Sequence, residues 1–295
     1  MQNEREPRTG SKNRRTAIVG MIALTLALGV GSAALAAVVT IDGSTDIEGA
    51  TAIWNPYGYY DYDQCVADTG YMASEEGYYG AQSDTFDGGM MLVAGGDTYA
   101  IPSDEGDLTG KQVTTGPRNL GGLKVWRMDR ALSMAPTMRS LVKLKNPTNK
   151  TISRAVIWDS ALGADGDAAV RSSSVGDAKF TKGARWITAS DSATDPSDPA
   201  AAFQFFGRGD VRSPVNEVLY RPAEDPVPGE ACVTVKLGVK VPANSSRYLL
   251  FFTEQWGTNE EARMGIRQVD MLSENFYLND IGPGVRRNIL NWDLG

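Results

Sequence analysis

From Cys232 to Val241 the residues Val233, Val235, Leu237, Val239 and Val241 occupy every second position, with Thr234, Lys236, Gly238 and Lys240 between them. A period of two is the signature of an extended strand with one buried face, and it is incompatible with the 3.6-residue repeat of a helix. Such a strand belongs in an antiparallel sheet that covers a core on one side. The run that follows, Tyr248-Leu249-Leu250-Phe251-Phe252-Thr253, is apolar on both faces and so reads as a central strand. Similar segments precede these two. Leu123, Val125 and Arg127 alternate with Lys124, Trp126 and Met128 after the Gly121-Gly122 turn, and Phe86 to Val93 leads into Gly95-Gly96-Asp97. Met138 to Lys145 and Thr151 to Trp158 flank Asn146-Pro147-Thr148-Asn149-Lys150, which has the length and composition of a hairpin loop.

About a dozen such segments between Thr85 and Glu254, without a helical repeat among them, predict a mainly β fold: a two-sheet antiparallel β-sandwich. Helix enters near the C-terminus. Thr258-Asn259-Glu260-Glu261 forms a capping box, and Ala262, Ile266, Val269 and Met271-Leu272 recur at helical spacing. A second short helix is expected from Val285 to Trp292, after Gly282-Pro283-Gly284. These short C-terminal helices are expected to shield an edge or open end of the sandwich. The resulting division is an export segment over 1–36, a Tyr/Gly/Asp-rich lead-in over 37–84, the sandwich over 85–257 and a helical segment over 258–295 that packs on it.

The export segment is read from Arg8, Lys12, Arg14 and Arg15, which precede an uncharged run from Thr16 to Val39 containing Ala34-Leu35-Ala36. That order of basic region, apolar region and A-x-A exit is the pattern of a secretory signal peptide cleaved after Ala36. The alternative is a retained single-span anchor, in which residues 16–39 would be the chain's membrane contact. Export by the general secretory route is expected. Arg14-Arg15 is also compatible with the twin-arginine route, although Thr16-Ala17-Ile18 lacks its usual apolar follow-up. Both routes place the protein outside the cytoplasm, secreted or at the cell surface. In an oxidising compartment the two cysteines, Cys65 and Cys232, are expected to form one disulfide.

Histidine is absent from all 295 residues. That excludes Ser-His-Asp and Cys-His catalysis and His-ligated metals. It also means that a pH response between 5 and 8 must come from a perturbed carboxyl or an α-amino group. Chemistry without histidine leaves a carboxylate pair for glycosidic hydrolysis, or a Tyr/Arg pair for eliminative cleavage of acidic sugars. Glu254 ends an apolar strand beside Trp256, where desolvation would raise its pKa and suit it to general-acid work, and Asp159, after Trp158, is its candidate companion. The plainer reading makes both of them strand-end carboxylates turned to solvent.

Seven of the eleven tyrosines lie between Ala37 and Gly80, among them Tyr57, Tyr59, Tyr60 and Tyr62. Their rings either pack over a sheet or form a stacking platform for a glycan or protein. The turn Ala164-Asp165-Gly166-Asp167 offers Asp165 and Asp167 as hard oxygen ligands, and Asp191 and Asp195 would have to join them to hold Ca2+. The full calcium-loop spacing is missing, so a polar turn without a cofactor is the expected state. Arg208-Gly209-Asp210 is too short a match to an adhesion tripeptide to carry weight. A net charge of −7 and the lack of a contiguous Lys/Arg run disfavour nucleic acid and anionic lipid as partners.

Gly122 to Glu261 resembles uncharacterised domains of exported bacterial surface proteins. The likeness rests on the alternating strand up to Arg139, Asn146-Pro147-Thr148, Leu162-Gly163-Ala164-Asp165 and Ser172-Ser173-Ser174-Val175-Gly176-Asp177. It also rests on Val241-Pro242-Ala243 leading into Leu249-Leu250-Phe251-Phe252, and on Asn288-Ile289-Leu290-Asn291-Trp292. The resemblance implies a β-rich extracellular module without established catalytic residues. The expected function is therefore non-catalytic binding to a cell-envelope component, with Tyr57, Tyr59, Tyr60 and Tyr62 at the contact. A carbohydrate-active enzyme using Glu254 and Asp159, and a structural subunit of a surface layer or fibre, are the alternatives.

Overall fold

The computed structural model describes residues 37–40, 47–48, 52–56, 65, 72–73, 85–86, 88–99, 105–162, 168–176, 178–194, 198–222 and 231–294. The segment read as an export signal lies outside them. In chain order the strands are β1 (Ala37–Thr40), β2 (Ile47–Glu48), β3 (Ile53–Pro56), β4 (Met72–Ala73), β5 (Gly88–Ala94), β6 (Asp97–Thr98), β7 (Glu105–Thr109), β8 (Gln112–Leu120), β9 (Leu123–Ala131), β10 (Thr137–Lys145), β11 (Ile152–Leu162), β12 (Ala169–Ser173), β13 (Trp186–Ser190), β14 (Ala200–Gln204), β15 (Val215–Arg221), β16 (Ala231–Val241) and β17 (Ser246–Trp256). The larger sheet runs β1-β7-β8-β9-β10-β17-β14-β13-β12. The smaller runs β15-β16-β11-β5-β4-β3-β2, with β6 paired to β5. The expected two-sheet antiparallel β-sandwich is the observed architecture. Its sheets begin before Thr85, because β1 pairs with β7 and β2 to β4 extend the smaller sheet.

The period-two pattern sets which side chains meet. Val233, Val235, Leu237, Val239 and Val241 of β16 turn inward, together with Val156 and Trp158 of β11 and Met90 and Leu92 of β5. From the larger sheet Leu123 and Val125, Val142 and Leu144, and Leu249 and Phe251 close on them. At the centre the rings of Trp158 and Phe251, one from each sheet, stack at 4.2 Å. β17 sits between β10 and β14 in the middle of the larger sheet, as its doubly apolar sequence requires.

The turn at Asn146 is not the hairpin its composition suggests. β10 belongs to the larger sheet and β11 to the smaller, so residues 146–151 carry the chain from one sheet to the other. Pro242 to Ser245 make the return crossing from β16 to β17 beside it. Both crossings close around Asn146, whose side chain is completely buried. Its Nδ2 donates to the carbonyls of Lys150 at 2.7 Å, Val241 at 3.0 Å and Pro242 at 3.1 Å, and its Oδ1 accepts from the backbone N–H and hydroxyl of Thr148. Backbone bonds from Asn146 to Ser245 and from Asn244 to Thr148 complete the joint.

The C-terminal segment does two jobs. Helix α1 (Asn259–Met271) lies on the outer face of the larger sheet, with Ala262, Ile266 and Val269 against Trp186, Ala200, Ala202, Leu250 and Phe252. Thr258 caps it by accepting from the Glu261 N–H at 3.2 Å, and its own hydroxyl lies 3.0 Å from the Glu261 carboxylate. Two carboxylates then fix the segment. Asp270 is gripped by Arg185, Arg208 and Gln204, and Asp280 by the buried Arg139 and by Arg130. Arg208 of the adhesion-like tripeptide is thus committed to a structural carboxylate.

Helix α2 spans only Pro283–Arg286, shorter than expected, and Asn288, Leu290, Asn291 and Trp292 beyond it bond to β17. Pairing of β17 with β14 ends at Phe252–Gln204, and beyond it Tyr248 N–H donates to Asn288 while Leu290 N–H donates to Tyr248. The Asn291 side chain accepts from Leu250 N–H and donates to the carbonyls of Leu250 and Phe205. The terminal residues therefore cover an edge, as expected, whereas α1 covers a face.

Asn146→Ala removes a donor shared by three carbonyls and the acceptor of the Thr148 N–H and hydroxyl, and should destabilise the protein by about 3 kcal/mol. Urea unfolding with an unchanged m-value should show it; a loss well under ~1 kcal/mol would mean the crossings hold without the carboxamide.

Candidate functional site

Cys65 and Cys232 form the expected disulfide, with Cα atoms 5.7 Å apart across a sequence separation of 167. Cys232 lies on the outer side of β16 opposite Ala161 of β11, and Cys65 packs there with Met91, Val93, Ala161 and Ile157. β3 and β4 pair through Pro56 and Met72, so residues 57–71 leave and re-enter the smaller sheet at neighbouring points. The disulfide fixes an intermediate point of that connection to the outer face of the same sheet. Tyr57, Tyr59, Tyr60 and Tyr62 belong to it but lie outside the described residues, as do Asp165, Asp167 and Asp195 of the candidate Ca2+ ligands. Asp191 accepts at Oδ1 from the Ser192 N–H. Among the described residues no three His, Cys, Asp or Glu side chains gather as a metal site.

Asp159 and Glu254 are both fully buried, not turned to solvent at strand ends. Asp159 sits on the outer side of the smaller sheet, where its Oδ1 accepts from the Thr234 hydroxyl at 2.5 Å. Glu254 has the parity of Leu250 and Phe252 and projects from the opposite outer face, beneath α1. Packed sheets are separated by about 10 Å, and these side chains point away from each other, so they cannot flank one glycosidic bond, which needs carboxyls no more than about 9.5 Å apart.

Burial pushes the Glu254 carboxyl up to about 7, although the Trp256 indole and Thr137 hydroxyl each donate to it, at 2.9 and 2.8 Å. The lid over it is Gly265 of α1. A Cβ at that position would come within 2.6 Å of Trp256 and 2.7 Å of Glu254 Oε2, so a side chain there would lift the helix from the sheet. The plainer reading of Glu254 as a solvent-facing strand end is overturned; Trp256 beside it is the sequence signal of desolvation, and what the sequence hides is the helix that closes over it.

Between the sheets lies a second polar group, formed by residues the sequence reading passes over. Arg127 and Asp129, both with no exposed side-chain surface, pair at 3.1 Å. Arg127 also donates to the Met90 carbonyl at 2.5 Å and stands 4.9 Å from the centroid of the Trp158 ring. Ser140 donates to Asp129, and Tyr99, its pKa pushed up to about 12 by burial, shares a hydrogen bond with Thr115. Met90 adopts φ +56, and the Ser160 hydroxyl accepts from its N–H. This network satisfies an irregularity in β5 inside the core and offers no surface to a ligand.

Register also assembles a basic and aromatic patch on the outer face of the larger sheet. Lys124 stands opposite Lys145, and Lys143 stands between Trp126 and Tyr248. The sequence signal is alternation at outward positions in β9 and β10, which becomes a cluster only once those strands are paired.

No protein-family model matches the sequence, and no curated protein matches it either. Among solved structures, one from Klebsiella pneumoniae provisionally assigned as an aldose 1-epimerase aligns at 10% identity and a TM-score of 0.36, covering 63% of this chain and 67% of the other. A likeness at that level carries no functional argument.

The raised pKa of Glu254 fixes the sign of a pH effect. As pH rises through the ordinary carboxylate range the unfolded chain loses this proton first, so stability present at low pH drains away up to about pH 7. The total is roughly 3 kcal/mol. Glu254→Gln should flatten the pH dependence of the melting temperature over that window and leave the variant more stable than the parent above it; superimposable curves would place the carboxyl in solvent.

Proposed function

We propose that this is an exported bacterial envelope or extracellular protein that works by binding, not catalysis, and that Tyr57, Tyr59, Tyr60 and Tyr62 contact a cell-envelope glycan or protein. The observation that supports this reading is the Cys65–Cys232 tether together with the β3–β4 pairing. A connection whose ends are adjacent in a sheet and whose interior is fixed to another strand of that sheet loses less conformational entropy on binding than a free loop. Tyrosine suits such a surface, since it offers a large rigid ring with a polar tip at the cost of few rotatable bonds. On this reading residues 1–36 direct export, residues 16–39 meet the membrane only if retained, and neither nucleic acid nor a cofactor takes part.

Replacing Tyr57, Tyr59, Tyr60 and Tyr62 together by Ala should weaken co-sedimentation with isolated bacterial cell walls roughly tenfold or more, with the melting temperature shifted by only a few degrees. Undiminished sedimentation would remove the tyrosines from the contact, and collapse of the fold would make them core.

A further inference from the structure

The patch on the larger sheet has the chemistry of a second binding site, one that does not depend on the tyrosine-bearing connection. In β9 and β10 the residues Val125 and Arg127, and Val142 and Leu144, face the core, which turns Lys124, Trp126, Lys143 and Lys145 outward. Tyr248 of β17 has the same outward parity. Cross-strand pairing arranges these five in two rows, Trp126–Lys143–Tyr248 and, beside it, Lys124–Lys145, flanked by Asn119 and Ser246.

The arrangement is costly without a ligand. Lys124 and Lys145 are like charges directly opposite one another, a pairing that destabilises a sheet. None of the ion pairs among the described residues uses Lys124, Lys143 or Lys145. Among the described residues, their outward cross-strand neighbours include no Asp or Glu, in a chain whose net charge is −7. The Lys143 ammonium lies 4.7 Å from the centroid of the Trp126 ring, so a half-buried cation and an aromatic face stand together beside the exposed Lys124 and Lys145. The main strand contacts of α1 are with β13, β14 and β17, and Lys143 and Lys145 lie at the opposite end of β10 from Thr137, which bonds Glu254 beneath that helix.

We infer that this face binds an acidic polysaccharide of the polyuronate type. Two aromatic rings two strands apart, roughly 10 Å, offer apolar faces on which the C–H faces of successive sugar rings can stack. The lysines supply flexible point charges that meet carboxylates without demanding one fixed orientation. A neutral glycan would leave the three ammonium groups unpaired, and a compact anion would leave the rings unused.

The test is isothermal titration of the protein with polygalacturonate, with dextran as the neutral control and a single-stranded oligonucleotide as a polyphosphate control. Binding of polygalacturonate that weakens with added salt is expected, with no heat from dextran and much weaker binding of the oligonucleotide. Trp126→Ala should lower affinity about tenfold, and Lys124→Gln with Lys145→Gln should lower it and flatten the salt dependence. The lysine pair is exposed, so it keeps the test open should the tryptophan variant fail to fold. Substituting the four tyrosines should leave polygalacturonate binding unchanged, which separates this site from the tyrosine contact. No binding, equal binding of the oligonucleotide, or affinity unmoved by the Trp126 and lysine variants would overturn the inference.

Discussion

The carboxamide of Asn146, buried where the chain crosses between its sheets, is the interaction on which the remaining architecture depends. β10 and β17 are neighbours in one sheet, β11 and β16 in the other, and the two crossings that join them run side by side. Three backbone carbonyls at that joint draw on one Nδ2, and the Thr148 N–H and hydroxyl on one Oδ1. Buried backbone groups in a loop cannot be left to water, so a side chain able to donate and accept at once is what lets the loop be buried. With the two crossings locked, the central four strands are in register, and Trp158 can meet Phe251 across the core.

Each outer face is then finished differently. Over the larger sheet the C-terminal segment lays down α1, anchors it through Asp270 and Asp280, and ends by bonding the open stretch of β17. Closure there is tight enough that Gly265 has no room for a side chain and Glu254 is held out of water. Over the smaller sheet, among the described residues, the Cys65–Cys232 disulfide stands on the outer face beside Met91, Val93 and Ala161.

What the sequence revealed was local in origin. The alternation of β16, the double apolarity of β17 and the Thr258 cap depend on neighbours within a few residues, and all three are realised. The Asn146 turn was misread because a hairpin and a crossing share the same Asn, Pro and Thr chemistry and differ only in which distant strand each flank pairs with. Glu254 was half legible: Trp256 two residues away signals desolvation, but the closing surface comes from Gly265 on a later helix. Glycine inside an otherwise periodic helix was the available hint, since it weakens a helix unless close packing requires it. The lysines at 124, 143 and 145 looked dispersed and become a patch only through the β9–β10 register. The disulfide was legible because two cysteines allow only one pairing.

That disulfide links the compartment to the proposed contact, since it needs an oxidising environment and it is what holds the tyrosine-bearing connection against the smaller sheet. Peptide mapping of the protein, denatured and digested without reduction, tests this most directly. The account predicts one linked pair of peptides containing Cys65 and Cys232 and no thiol available for alkylation before reduction. Two alkylated cysteines in protein recovered from outside the cell would contradict it, removing the tether and the binding surface proposed to depend on it.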